Sequence, residues 1–177
     1  MTRIAFCVCV ATLAAGPALA GGIDRTRTPY MALFESGTYL EFGIANVSPS
    51  VSGEYPGFVG GGSTGDMAPA YTNFSFIYKQ DIDEKLAFAV FVNTPYGADA
   101  SYHQGFYDGL RANWGSEQLV VMLRYRLDDA FSIYGGARYV SSVADIDIPD
   151  QMIRAGLAAA GNPVAGQAPP GSLSYSA

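Results

Sequence analysis

Cysteine is almost missing from this chain. Only Cys7 and Cys9 occur in 177 residues, and both stand within the first ten positions. There is one histidine, His103, and one tryptophan, Trp114. Charged residues make up 15% of the chain, with 16 acids against 10 bases. These shortages exclude several classes. With no cysteine after Cys9, the body of the chain has neither a disulfide staple nor a thiolate metal centre. A single histidine without a second His or Cys offers no ligand set and no nucleophile–base pair. The chain is therefore read as non-enzymatic, with no catalytic residue, metal or cofactor. The acidic balance argues against a nucleic-acid partner. After residue 20, no apolar run approaches the ~20 residues that a membrane helix needs. The Gly-rich stretch 60–66 (GGGSTGD) lacks the Lys-Ser/Thr of a phosphate-binding loop and reads as a flexible surface connection.

The cysteines belong to a leader. Arg3 supplies a positive start, residues 4–15 an apolar core, and Ala18-Leu19-Ala20 a small-x-small cleavage site. Residues 1–20 are accordingly expected to be a signal peptide. Loss of Arg3 with it moves the net charge from −6 to −7.

What remains is alternation. From Leu119, every second residue is apolar or aromatic: Val121, Leu123, Tyr125, Leu127. Between them lie Gln118, Val120, Met122, Arg124 and Arg126. After Asp128-Asp129-Ala130 the pattern resumes, with Phe131, Ile133, Gly135, Ala137 and Tyr139 opposed to Ser132, Tyr134, Gly136 and Arg138. Period two means strands, and a three-residue loop pairing Leu127 with Phe131 keeps like face against like. The same reading gives strands over about 39–48, 70–80, 86–94, 117–127 and 131–143. Leu40, Phe42, Ile44, Phe74, Phe76, Tyr78, Phe88, Val90 and Val92 face outward. Tyr39, Glu41, Asn73, Ser75, Lys79, Ala87, Ala89, Phe91 and Asn93 face inward. Residues 150–160 suit a short helix with Asp150 as N-cap, and the rest a loop.

Connections alternate long (49–67), short (80–85), long (95–116), short (128–130) and long (from 144). Outer-membrane barrels have short periplasmic turns and long extracellular loops. The expected fold class is thus all-β, an antiparallel transmembrane outer-membrane β-barrel. Residues 21–37 form a periplasmic, hatch-like segment, and 38–177 a partial barrel with about five strands of a larger one. Five strands fall short of the eight at which single-chain barrels begin, so the chain is expected to be the N-terminal part of a longer protein.

Three blocks, at 41–53 (EFGIANVSPSVSG), 71–102 (opening YTNFSFIYKQDIDEK) and 119–148 (LVVMLRYRLDDAFSIYGGARYVSSVADIDI), resemble the FadL/TodX-type outer-membrane transporters in order and spacing. The likeness covers about residues 38–150. It implies a fourteen-stranded barrel plugged by an N-terminal hatch. It also implies passive diffusion of long-chain fatty acids or aromatic hydrocarbons across a bacterial outer membrane, with lipid and lipopolysaccharide as surroundings. The alternatives are a general porin, a small structural or adhesive barrel, and a barrel-embedded hydrolase; the last has no Ser/His pair to support it. Arg124, Arg126, Arg138 and Glu41 are expected to face the lumen, the arginines pairing with Glu41 and hatch carboxylates. Met152, Ile153 and Leu157 are candidates for an apolar landing groove, with Arg154 available to a carboxylate head. Gly135-Gly136 marks either a strand bend or a close approach by another segment.

The leader reading makes a direct forecast: mass spectrometry of the exported protein should find a chain starting at Gly21. A mature form that retains Met1 would overturn it.

Overall fold

The computed structural model describes residues 23–177, so the expected signal peptide lies outside the described residues. The fold is all-β and antiparallel with one α-helix, and the sheet does not close on itself. In chain order the strands are β1 (Tyr39–Val47), β2 (Tyr71–Asp81), β3 (Leu86–Asn93), β4 (Gly97–Ser101), β5 (Arg111–Arg126), β6 (Ser132–Ile148) and β7 (Gly171–Ser176). Helix α1 runs Asp150–Ala159. The sheet order is β1-β2-β3-β5-β6-β7, with β4 continuing the line of β3 along β5.

The five expected strands are present, and two corrections follow. The connection 95–116 is not a loop throughout: β4 and the first residues of β5 occupy much of it. The tail after α1 is not all loop either, since β7 pairs with β6 from Val143↔Ser176 to Ile148↔Gly171. The stretches GADAS and RANWGS carry little apolar alternation, and in GSLSYS it is confined to Leu173 and Tyr175.

Turns form where the sequence offers local acceptors. Asp83 accepts N–H bonds from Lys85 and Leu86, both 2.8 Å, and closes the β2–β3 turn. These bonds hold its carboxyl below the usual carboxylate range. Asp128 does the same for Ala130 and Phe131 at 2.8 Å, and Leu127 N–H donates to Phe131 O at 2.9 Å, giving the expected three-residue hairpin. The long connections are tied together. Buried Tyr55 packs edge-on against Tyr107, and its hydroxyl donates to Gln104 O at 2.7 Å.

Register sets the faces. Ile77, Phe91 and Val120 lie in one cross-strand row, and Lys79, Ala89 and Met122 in the next. Ile77, Ala89, Phe91, Val120 and Met122 are buried with Ala32 and Leu33 of the 3-10 turn Tyr30–Phe34. Ala87 and Ala89 leave room for that turn on the sheet. The opposite face is apolar and uncovered: Leu40, Phe42, Ile44, Leu119, Val121, Leu123, Tyr125, Ile133 and Tyr139 are all exposed. Among the described residues, β1 and β7 form the two ends of the sheet order.

Gly136 resolves the glycine pair. A Cβ there would overlap the Val121 carbonyl oxygen and crowd Met122 Cα at 2.8 Å, whereas one on Gly135 meets nothing within 4 Å. The close approach comes from the neighbouring strand, so Gly136 permits tight β5–β6 packing. Gly136→Ala should cost about 1–3 kcal/mol, the usual scale of overpacking, while Gly135→Ala should be near neutral. A denaturation comparison checks this, and equal losses would refute the packing account.

Candidate functional site

The inward face of the sheet clasps the segment 23–37. Its backbone runs up against five inward polar side chains. Asn73 Nδ2 donates to Arg25 O at 3.3 Å, and Asn93 Nδ2 to Thr26 Oγ1 at 2.8 Å. Gln118 donates from Nε2 to Thr28 Oγ1 and to Asn93 Oδ1, the latter at 2.5 Å. Arg124 Nη1 donates to Leu33 O at 3.1 Å, its guanidinium standing over the Phe34 ring at 5.2 Å.

Lys79 is the deepest of these, with a side chain 0% exposed. An ammonium has three donors and no acceptor. All three are used: Glu35 O at 2.6 Å, Gly37 O at 2.8 Å and Asp81 Oδ1 at 2.5 Å. Asp81 in turn accepts the Gly37 N–H at 2.8 Å. A buried cation is tolerable only with such complete partnering. Among the described residues three buried groups have no partner: Arg25 Nε, Arg124 Nε and Gln118 Oε1.

The upper part of the segment meets an interruption in the sheet. Between Asn93↔Gln118 and Gly97↔Gly115 the β3–β4 line holds one residue more than β5, which makes a bulge at Thr94-Pro95-Tyr96. Pro95 has no N–H to give to a ladder. Strand β3 pairs with β2 only from Ser75 to Asp81, and β4 pairs with β5 alone. Tyr71, Thr72 and Asn73 therefore have no strand partner on the β4 side. Segment 23–37 fills in: Arg25 N–H donates to Pro95 O at 2.9 Å, Gly97 N–H to Ile23 O at 3.0 Å, and Asp24 bridges Tyr96. A cavity of about 250 Å³ lies here, lined by Arg25, Pro69, Tyr71, Gly97 and Asp99 among others.

The expected site residues fare unevenly. Arg124, Arg138 and Glu41 share the inward face with Ile77 and Val120, as their register shows, and Arg126 lies two residues beyond Arg124 on the same strand face. The expected carboxylate pairing of these arginines is corrected. Among the described residues the ion pairs are Arg25–Asp99, Lys79–Asp81 and Arg154–Asp150. Arg138 instead donates to Tyr96 Oη at 3.1 Å, and Glu41 accepts from the Tyr39 hydroxyl. Carbonyls and rings serve as partners where acids were expected. On α1, Met152, Ile153 and Leu157 are half-buried, with Ile153 against Gly171. Arg154 pairs with Asp150 at 2.7 Å and donates to Ala168 O at 3.1 Å, so its guanidinium is already engaged in fastening the tail to the helix.

Asn73, Lys79, Asn93 and Gln118 were legible as inward-facing but not as a site. The available signal was four hydrogen-bonding side chains on a face otherwise built of Ala, Ile, Phe and Val. No family model, no curated protein and no solved structure matches the chain.

Lys79→Met keeps the volume and removes the bonds. Each buried carbonyl left unpaired should cost roughly 1–3 kcal/mol. Hydrogen exchange in residues 30–37 should then accelerate while β5 is unchanged. Unaltered exchange would mean that Leu33 packing alone holds the segment.

Proposed function

We propose that the sheet is part of an outer-membrane β-barrel that passes hydrophobic small molecules by passive diffusion, with residues 23–37 as its hatch. The observation that carries this reading is the two-faced sheet. One face is an uncovered band of Leu, Ile, Val, Phe and Tyr; the other sets Asn73, Lys79, Asn93, Gln118 and Arg124 among Ala, Ile, Phe and Val and is occupied by a clasped peptide. A lipid-facing exterior and a polar interior are what a membrane barrel requires. In hydrocarbon, the free edges of β1 and of β6 below Val143 would leave backbone groups unpaired at several kcal/mol each, so closure by further strands belongs to the proposal. The likeness to FadL/TodX-type transporters supports the same reading and extends it to long-chain fatty acids or aromatic hydrocarbons. A general porin is favoured less, because the segment 23–37 covers the inward face where an aqueous channel would run.

Two measurements test this on the full-length protein. Arg in place of Phe76 should lose about 2–4 kcal/mol near the midplane, while Arg in place of Ser75 should be far milder; equal losses in lipid would refute the membrane assignment. Proteoliposomes should take up a fluorescent twelve-carbon fatty acid and should not swell in sugar solution. Swelling without fatty-acid uptake would make the protein a general porin.

A further inference from the structure

We infer that the inward face of β5 and β6 is a binding track for aromatic anions, with guanidinium groups taking the negative charge and neighbouring rings the flat apolar part. The inference rests on the transport reading above and names a substrate class for it: arenes that carry a carboxylate or a sulfonate.

Charge is sorted between the faces. The chain holds 16 acids and 10 bases, yet the inward side of these two strands carries Arg124, Arg126 and Arg138 and no acid. The acids of the same strands, Glu117, Asp145 and Asp147, stand on the other face by alternation. Elsewhere on the inward face Asp81 is taken by Lys79, and Glu41 by the Tyr39 hydroxyl. Among the described residues none of the three arginines is ion-paired. Arg124 gives Nη1 to Leu33 O, and its Nε has no partner. Arg138 has a neutral phenol as its partner, Tyr96 Oη at 3.1 Å. A row of cations without counter-charge on the inside of an acidic chain is complementary to an anion.

Rings accompany the guanidiniums. At the lower end Arg124 stands 5.2 Å from the Phe34 ring centroid, and Phe34 meets Tyr134 edge-on at 5.6 Å. Four residues above Tyr134 on β6, about 13 Å along the strand, comes Arg138. It lies 5.3 Å from the Tyr96 ring, which stacks on Trp114 at 6.4 Å. Tyr134 is 57% exposed and Phe34 41%, so both offer ring surface to a ligand. Segment 23–37 hydrogen-bonds to side chains of β2, β3 and β5, and the inward side of β6 stands beside it. A cavity of about 570 Å³ opens at the lower end, lined by Phe34, Arg124, Arg126 and Ser132, with Asp129 of the turn. That volume suits a ligand of one or two rings. A planar anion gains on both counts. Paired N–H donors of a guanidinium grip a carboxylate or sulfonate, and rings favour edge-to-face or offset contact with an arene. A straight alkyl acid would answer the charge alone.

The test uses the full-length protein and naphthalene-2-sulfonate, a permanent anion with its own fluorescence. Binding is measured by equilibrium dialysis in detergent, uptake in proteoliposomes, and folded barrel by heat-dependent gel mobility. Arg126→Gln and Arg138→Gln alter exposed side chains and spare the Arg124 bond to Leu33. Each should weaken binding several-fold at unchanged folded protein, and the double variant more. Benzenesulfonate should displace the probe, whereas its neutral counterpart benzenesulfonamide and its ring-saturated counterpart cyclohexanesulfonate should each compete several-fold less well. Equal competition by benzenesulfonate and cyclohexanesulfonate overturns the proposal, as does binding that both variants leave unchanged. Uptake of the twelve-carbon fatty acid with no binding of naphthalene-2-sulfonate also overturns it and leaves the transport reading standing. Binding of the sulfonate with uptake of neither probe sinks the transport reading and keeps the track as a binding site.

Discussion

A hydrogen-bonding group buried against a sheet must find a partner, and here that partner is a peptide. Lys79, Asn73, Asn93, Gln118 and Arg124 project from three adjacent strands, and each donates to an atom of segment 23–37. Without the segment, Lys79 loses two of its three acceptors. Without the side chains, the carbonyls of Leu33, Glu35 and Gly37 lose their donors. Segment and strand face are therefore mutually dependent, although the apolar contacts of Ala32 and Leu33 add to the hold.

This dependence explains the distribution of small residues. Ala89 on β3 packs in one cluster with Ala32 and Leu33 of the 3-10 turn, while larger Phe91 lies edge-on to Tyr30 at the start of that turn. Gly97 clears the route of Arg25, and Gly136 lets β6 close on β5. Small size is used at each place for a different neighbour: a turn, a guanidinium and a backbone.

Much of the architecture was legible from residues alone. Strands β2, β3, β5 and the start of β6 alternate cleanly, and their inward sets were read correctly because period two leaves no freedom once one apolar face is identified. Strand β4 was invisible for the same reason, because Gly, Ala, Ser and Asp on both faces give alternation nothing to mark; in β7 the alternation is only two apolar residues long, Leu173 and Tyr175. The bulge at Pro95 further hid β4 by shifting its phase against β3. The partners of the inward arginines were not legible at all. An acid was the natural guess for a buried cation, but carbonyl oxygens and aromatic rings serve Arg124 and Arg138, and neither leaves a trace in charge patterning. The acid that pairs with Arg25 of the clasped segment, Asp99, lies 74 positions away in sequence.

The clasp also imposes an order of events on folding. Thr28 and Gln118 are 90 positions apart, and Leu33 and Arg124 are 91. Residues 23–37 thus wait for β5 before they find their seat, since closing so long a loop is an entropic cost that only assembled strands repay. The hairpins β2–β3 and β5–β6, with short loops, form ahead of it. Segment 23–37 is synthesised before the strands that hold it and docks after them, so the nascent sheet passes through a stage in which its inward face stands uncovered.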